Sequence, residues 1–338
     1  MGGRALSVPG CRLPAAEYHA LVAEVAYKLA KAGLPRLHII EAYASKESFG
    51  DMDLVYASFP GYDPASTAHA LGAVEFVKNG EVTSFGLPVN SGLFQIDVIG
   101  VPADSVKFAV NYFRFNDLGN LYGRIFKYLG LKFGHHGLFY VMRDDSNSQT
   151  VREIVITRDF EAALELIKLQ RLDRADTLTD IFEHVAQSPW FSKSIYRLEN
   201  LNNQAKTRDR KRSTYHAFLQ WMDQQQQLPE TLPMDHSCID WREVMRQRCF
   251  DIFPEFKQEY LAAHLDYSNW RARREKFNGR LVGSWTGLQG RALGAFMMKA
   301  NAVLDPVEMA NLSQEQLRVY ILQLFEQWKT NPLNADLI

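Results

Sequence analysis

Two runs of the chain place carboxylates inside otherwise apolar stretches: Gly50-Asp51-Met52-Asp53-Leu54-Val55-Tyr56 and Phe94-Gln95-Ile96-Asp97-Val98-Ile99. Side chains alternate along a strand. A strand that starts at Asp51 therefore turns Asp51 and Asp53 to one face and Met52, Leu54 and Tyr56 to the other. The second run reads as a central strand, where an acid is costly unless it is paired or holds a metal. Two carboxylates at i and i+2 can both face one divalent cation. Three that converge meet the needs of two Mg²⁺ ions at a phosphoryl displacement. Gly-Asp-x-Asp alone is also the sequence of an ordinary capped loop. Asp97 in the second run tips the balance toward chemistry.

The rest of the chain bounds that reading. Its 338 residues suggest roughly two domains of about 150. With 46% apolar and 23% charged residues, a disordered chain is excluded. Lys and Arg number 38 against 39 Asp and Glu, a net charge of −1, so any nucleic-acid contact must come from a local patch. Cys11, Cys238 and Cys249 are too few and scattered for a disulfide framework or a Cys-rich zinc site. The first residues lack the apolar run of a signal peptide, and no apolar stretch is long enough to span a membrane. The expectation is a soluble protein of a reducing compartment, the cytoplasm, with no membrane partner.

Apolar spacing predicts a helix over 15–33, with Leu21, Val22, Val25 and Leu29 on one face, Gly33 as cap and Pro35 beyond. Strands are expected over 37–43, 52–58, 73–77, 82–87 and 93–101. Asn79-Gly80 marks a hairpin turn, since both residues readily take positive φ. Helices follow over 103–112 and 118–129. Beyond 150 the spacing is helical, over 159–170, 177–186, 215–226, 241–249, 254–266 and 314–328. The predicted fold class is α+β: a small mixed-sheet domain over 1–148, then a mostly helical region over 149–338. The polar, proline-containing stretch at 224–234 is expected to split that region. There is no internal repeat.

The segment from Ala44 through Gly50-Asp51-Met52-Asp53, the third acid Asp97, and Tyr112-Phe113…Asp117…Asn120…Arg124 together resemble the nucleotidyltransferase superfamily. Within it they resemble the X-family polymerases such as DNA polymerase beta, over about residues 36–145. The resemblance implies a polymerase-beta-like palm with Asp51, Asp53 and Asp97 as catalytic metal ligands for two Mg²⁺ ions, with Mn²⁺ as a substitute. It implies that Ser45, Lys46 and Gly50 meet the triphosphate, that Tyr112 and Phe113 monitor the sugar, and that Asp117 packs beside the base. Asn120 then reaches the minor-groove edge of the incoming base, and Arg124 contacts the templating strand. The implied activity is transfer of a nucleotide from a nucleoside triphosphate to the 3′-hydroxyl of a DNA or RNA end, with release of pyrophosphate. Alternatives are untemplated addition to RNA ends, nucleotidylation of a protein or small molecule, and a non-enzymatic binder of a nucleotide or nucleic-acid end. The chain differs from the polymerase pattern in three places. Ala44 stands for a glycine, the spacer from Ser45 to Asp51 is shorter, and Gln95 stands where an arginine is common.

Read locally, Asn120 and Arg124 are four apart and share one helix face, as any surface pair does. Tyr112 and Phe113 read equally as core aromatics, and Lys46 as a solvated lysine. Residues 193–214 carry a surplus of five positive charges, and Lys206, Arg208, Arg210, Lys211 and Arg212 are the expected nucleic-acid contacts. The same run also reads as a solvated face. A second basic stretch, 271–280, follows Trp270. Residues 277–300, with Gly287 and Gly290 before a predicted helix, faintly resemble the tail of CCA-adding enzymes and poly(A) polymerases. His135-His136 and His236-Ser237-Cys238 lack companions for a zinc site and are expected to satisfy local hydrogen bonds.

Overall fold

The computed structural model describes residues 5–31, 37–231, 240–305, 309 and 312–331. Gly33, Pro35, His236 and Cys238 lie outside the described residues. The chain separates into two compact units, Met1–Lys257 and Gln258–Ile338.

The first unit opens with a two-residue strand, β1 (Leu13–Pro14), and helix α1 (Ala15–Lys31). Tyr18, Leu21, Val25 and Leu29 form the buried stripe of α1, while Val22 is half-buried. Then come β2 (His38–Ile39), β3 (Ser48–Phe49) and β4 (Asp51–Ala57). The strand expected over 37–43 is reduced to two paired residues, although the Ile40 amide still donates to the Asp53 carbonyl at 3.0 Å. Helix α2 (Pro64–Leu71) precedes β5 (Glu75–Asn79), β6 (Val82–Val89) and β7 (Gly92–Val101). Sequence spacing passed over α2, yet its signals are present: an Asp63 N-cap, proline in the first turn and a left-handed Gly72 at the end.

These strands form a mixed sheet in the order β2-β4-β7-β6-β5, with β4 parallel to β7 and the other pairs antiparallel. Met52, Leu54 and Tyr56 face a core shared with α1. On the opposite face, Val55, Ile99 and Val101 are buried with Ala109 of α3 (Val106–Phe113). Between β5 and β6, Gly80 alone takes positive φ, so the turn uses the glycine and not Asn79. Helix α4 (Leu118–Tyr128) packs against α3. Gly119 permits this approach, since a Cβ there would sit 2.2 Å from the Tyr112 carbonyl oxygen.

A second sheet contains β8 (Leu131–Gly134), β9 (Gly137–Arg143) and β10 (Thr150–Thr157), in the order β10-β9-β8. The expected boundary at 148 falls inside the β9–β10 hairpin, whose ladder belongs to the first unit. Helices α5 (Phe160–Leu166), α6 (Leu178–Ala186), α7 (Asn203–Asp209), α8 (Ser213–Gln224) and α9 (Trp241–Ile252) complete this unit. The division of the chain falls near the start of α10 (Pro254–Lys276).

In the second unit, α11 (Gly279–Thr286), α12 (Gly290–Val303) and α13 (Gln314–Lys329) enclose a core that includes Val282, Phe296, Ile321 and Trp328. Gly287 ends α11 in a left-handed conformation, and Gly290 opens α12. No helix among the described residues is long and apolar enough to cross a membrane.

Candidate metal centre

Asp51 and Asp53 open β4, and the parallel register sets Asp53 beside Asp97 and Asp51 beside Gln95 on β7. The ligand oxygens of Asp51, Asp53 and Asp97 all lie within 4.8 Å of one another, on the face opposite Met52 and Leu54. They line a cleft of about 540 Å³.

Burial sets the electrostatics. It raises Asp51 above the usual carboxylate range, against the pull of Lys46 and Arg12. Asp53 is raised furthest, first by burial and then by the charges of Asp51 and Asp97. Asp97 is raised by burial too, but hydrogen bonds from Ser84 and Gln95 hold its charged form in place. Ser84 lies opposite Asp97 on β6. Gln95 Nε2 donates to both Asp97 oxygens at 2.9 Å, while Gln95 Oε1 accepts from the Ala5 amide. The neutral glutamine thus orients Asp97, and strand alternation from Gln95 to Asp97 is the sequence signal for it.

The other expected residues divide between two places. Lys46, Gly50, Phe113, Asp117, Arg208, Lys211 and Arg212 line the acid cleft. Lys46 Nζ reaches Asn116 Oδ1 at 3.4 Å and lies over the Phe49 ring at 4.5 Å. Burial lowers its proton affinity, while Asp51 and Asp53 raise it. Ser45 does not line the cleft; its backbone amide is bound to the Asp176 carbonyl at 2.8 Å. Tyr112 and Asn120 line a separate cavity of about 590 Å³, to which Arg208 also contributes.

Arg124 lines that separate cavity and not the acid cleft, and its guanidinium is held in an ion pair with the fully buried Asp209, an arrangement not expected from the sequence. The partner lies 85 residues away in the chain and gives no local signal. Asn120 Oδ1 is likewise occupied, accepting from Arg208 at 2.6 Å. Within the basic run, Arg212 pairs with Asp117 and Arg208 with Asp209. Lys206, Arg210 and Lys211 have no ion pair among the described residues, and Arg210 and Lys211 are exposed.

Three cleft features went unread in the sequence. Arg12 lines the cleft and donates to the Ser48 carbonyl at 2.8 Å. Tyr18 stacks on Phe49, with its hydroxyl proton held by burial and by Asp53 and Asp51. Phe115 and Asn116 both take positive φ, unusual for a buried aromatic, and bring Asn116 and Asp117 to the cleft wall.

A second cluster able to coordinate a metal joins Glu81 to His135 and His136. The two histidines do have an acidic companion, supplied by a turn more than fifty residues earlier. Neither the protein-family models nor the curated proteins contain a match to this chain, so geometry and chemistry alone carry the functional reading.

Proposed function

We propose that the chain is a metal-dependent nucleotidyltransferase that moves a nucleotide from a nucleoside triphosphate to the 3′-hydroxyl of a nucleic acid, releasing pyrophosphate. The observation that carries this reading is the convergence of Asp51, Asp53 and Asp97 from two adjacent strands. All their donors are hard oxygens, which suit Mg²⁺ or Mn²⁺. The site also fits cations electrostatically, because Asp51 and Asp97 both raise the proton affinity of Asp53, a cost that a bound cation relieves.

Ions held by Asp51, Asp53 and Asp97 would supply charge neutralisation at the phosphates and acidify the acceptor hydroxyl. The remaining work falls to the chain. Lys46 places a cation beside the acids for the triphosphate. Asp97, oriented by Gln95 and Ser84, takes the proton of the acceptor hydroxyl at a carboxylate oxygen. Lys211 and Arg210 offer exposed positive charge to an approaching phosphate backbone.

The burial of Arg124 favours a second reading of the acceptor, untemplated addition to a single-stranded RNA end. One experiment addresses both readings. Each labelled nucleoside triphosphate is incubated with Mg²⁺ or Mn²⁺ and with single-stranded or primer–template DNA or RNA, reading product length and pyrophosphate release. Extension that is lost in Asp97→Asn supports nucleotidyl transfer, and tailing of single strands assigns the untemplated form. Absence of transfer to every acceptor, or full activity of Asp51→Asn/Asp97→Asn, overturns the proposal.

A further inference from the structure

We propose that Glu81, His135 and His136 form a second metal site, selective for a zinc-class transition ion, that ties together the tips of two hairpins. The inference does not rest on the nucleotidyl-transfer reading. Each ligand comes from a two-residue turn. Gly80-Glu81 closes the β5–β6 ladder after the Asn79–Val82 pair, and His135-His136 closes the β8–β9 ladder after Gly134–Gly137. The two strand pairs belong to different sheets, and these three side chains join their turns.

The geometry is specific. His135 Nε2 and His136 Nε2 each lie 2.9 Å from the same oxygen, Glu81 Oε2, and the two rings are 4.2 Å apart. Consecutive residues in a tight turn therefore aim the same ring atom at one point. Two imidazole nitrogens and one carboxylate are the donor set of a three-ligand zinc site that leaves a fourth position open. Donors around a tetrahedral zinc ion stand about 3.4 Å apart, so each imidazole nitrogen needs to move about half an ångström from Glu81 Oε2, and the three ligand atoms already lie within 4.8 Å of one another. These side chains are partly solvent-exposed and have room to make that adjustment.

The backbone holds the ligands without filling the site. The Glu81 carbonyl accepts from the Gly100 amide at 2.9 Å, and the His136 carbonyl accepts from Ser105 Oγ at 3.4 Å. The donor chemistry separates this site from the three acids. Imidazole favours zinc, nickel or copper, whereas an all-carboxylate set favours Mg²⁺ or Mn²⁺. The site also touches the cleft wall: the His135 ring lies 5.3 Å from Phe113, which lines the acid cleft. A bound ion would fix the β8–β9 tip against that wall.

The test is calorimetric titration of Zn²⁺, at micromolar concentration and with excess Mg²⁺ to occupy the acids. The proteins are the full chain, Asp51→Asn/Asp97→Asn and His135→Gln/His136→Gln. One Zn²⁺ should bind the first two alike, and the histidine variant should bind at least about tenfold more weakly. Circular dichroism verifies its fold. If that variant does not fold, Glu81→Gln carries the same expected loss. A visible Co²⁺ absorption band of tetrahedral intensity should appear in the full chain and vanish in the same variant. Unchanged Zn²⁺ affinity in the folded histidine or Glu81→Gln variant overturns the proposal, as does absence of Zn²⁺ binding by the full chain. Retention of binding by the aspartate variant separates this outcome from failure of the nucleotidyl-transfer reading.

Discussion

Asp51, Asp53 and Asp97 project from the interiors of paired strands, whereas Glu81, His135 and His136 occupy the turns that end two hairpins. The acids are half-buried and share one sign of charge; Asp51 and Asp97 raise the proton affinity of Asp53, and Asp51 raises that of Asp97. In the turn cluster, two imidazole rings share one oxygen of a carboxylate that is 44% exposed. Position in the fold thus decides how strongly each cluster depends on an ion. A half-buried set of like charges needs a counter-charge to stay ionised, while a mixed set of acid and imidazole satisfies itself through hydrogen bonds.

The largest effect expected from this contrast is in transfer itself. Asp53→Asn should reduce nucleotidyl transfer by on the order of 10³-fold, the equivalent of several kcal/mol of lost charge stabilisation, measured as initial rate of pyrophosphate release. The same substitution tests the burden of the buried charge. Because folding raises the Asp53 proton affinity, the folded chain binds more protons than the unfolded one above about pH 4. In chelator, stability should therefore fall as pH rises toward neutrality. Asp53→Asn should flatten that decline, and Mg²⁺ should offset it in the native chain. Melting curves across pH check all three.

The Arg124–Asp209 pair is a control for what a buried acid loses with its buried cation. Arg124→Ala leaves Asp209 with only the half-exposed Arg208 as partner and should destabilise the chain by about 3 kcal/mol, read from denaturant unfolding. A change near zero would show that Arg208 alone compensates the buried acid, and the contrast would lose its basis.

Below that lies Gln95→Leu, which removes the donor that orients Asp97 while leaving all three acids. It should lower transfer by about 10–100-fold, as loss of a group that orients a metal ligand does. The smallest effect belongs to the turns. In metal-free buffer Glu81→Gln should change unfolding stability by less than about 1 kcal/mol, since its charge interactions are screened by solvent. A larger loss would mean that the turn cluster carries structural weight without any ion.

The two clusters also differ in how far the sequence discloses them. Asp51, Asp53 and Asp97 stand out because carboxylates interrupt apolar runs whose alternation fixes their face. The positioning role of Gln95 follows from the same alternation. Glu81 and the two histidines have no such signature: each turn is ordinary by itself, and only the folded arrangement of two sheets brings them together. The same holds for Arg124, whose place on a helix face was readable but whose partner on α7 was not. Local rules also predicted helices after 150 and passed over β10, because Thr150–Thr157 is a strand by virtue of its ladder with β9. Side-chain pairing across long chain separations decides these points, and spacing does not encode it.

The order β2-β4-β7-β6-β5 makes the two acid-bearing strands inner members of their sheet. β7 is paired on both sides along most of its length and β4 on both sides at Leu54 and Val55, so amides there are among the last to exchange hydrogen with solvent through partial opening. The carboxylates therefore ride on a part of the chain that stays assembled while turns and helix ends come and go, and their spacing is insulated from those fluctuations. Amides of β4 and β7 should be among the slowest to take up deuterium, well behind those of the β5–β6 and β8–β9 turns.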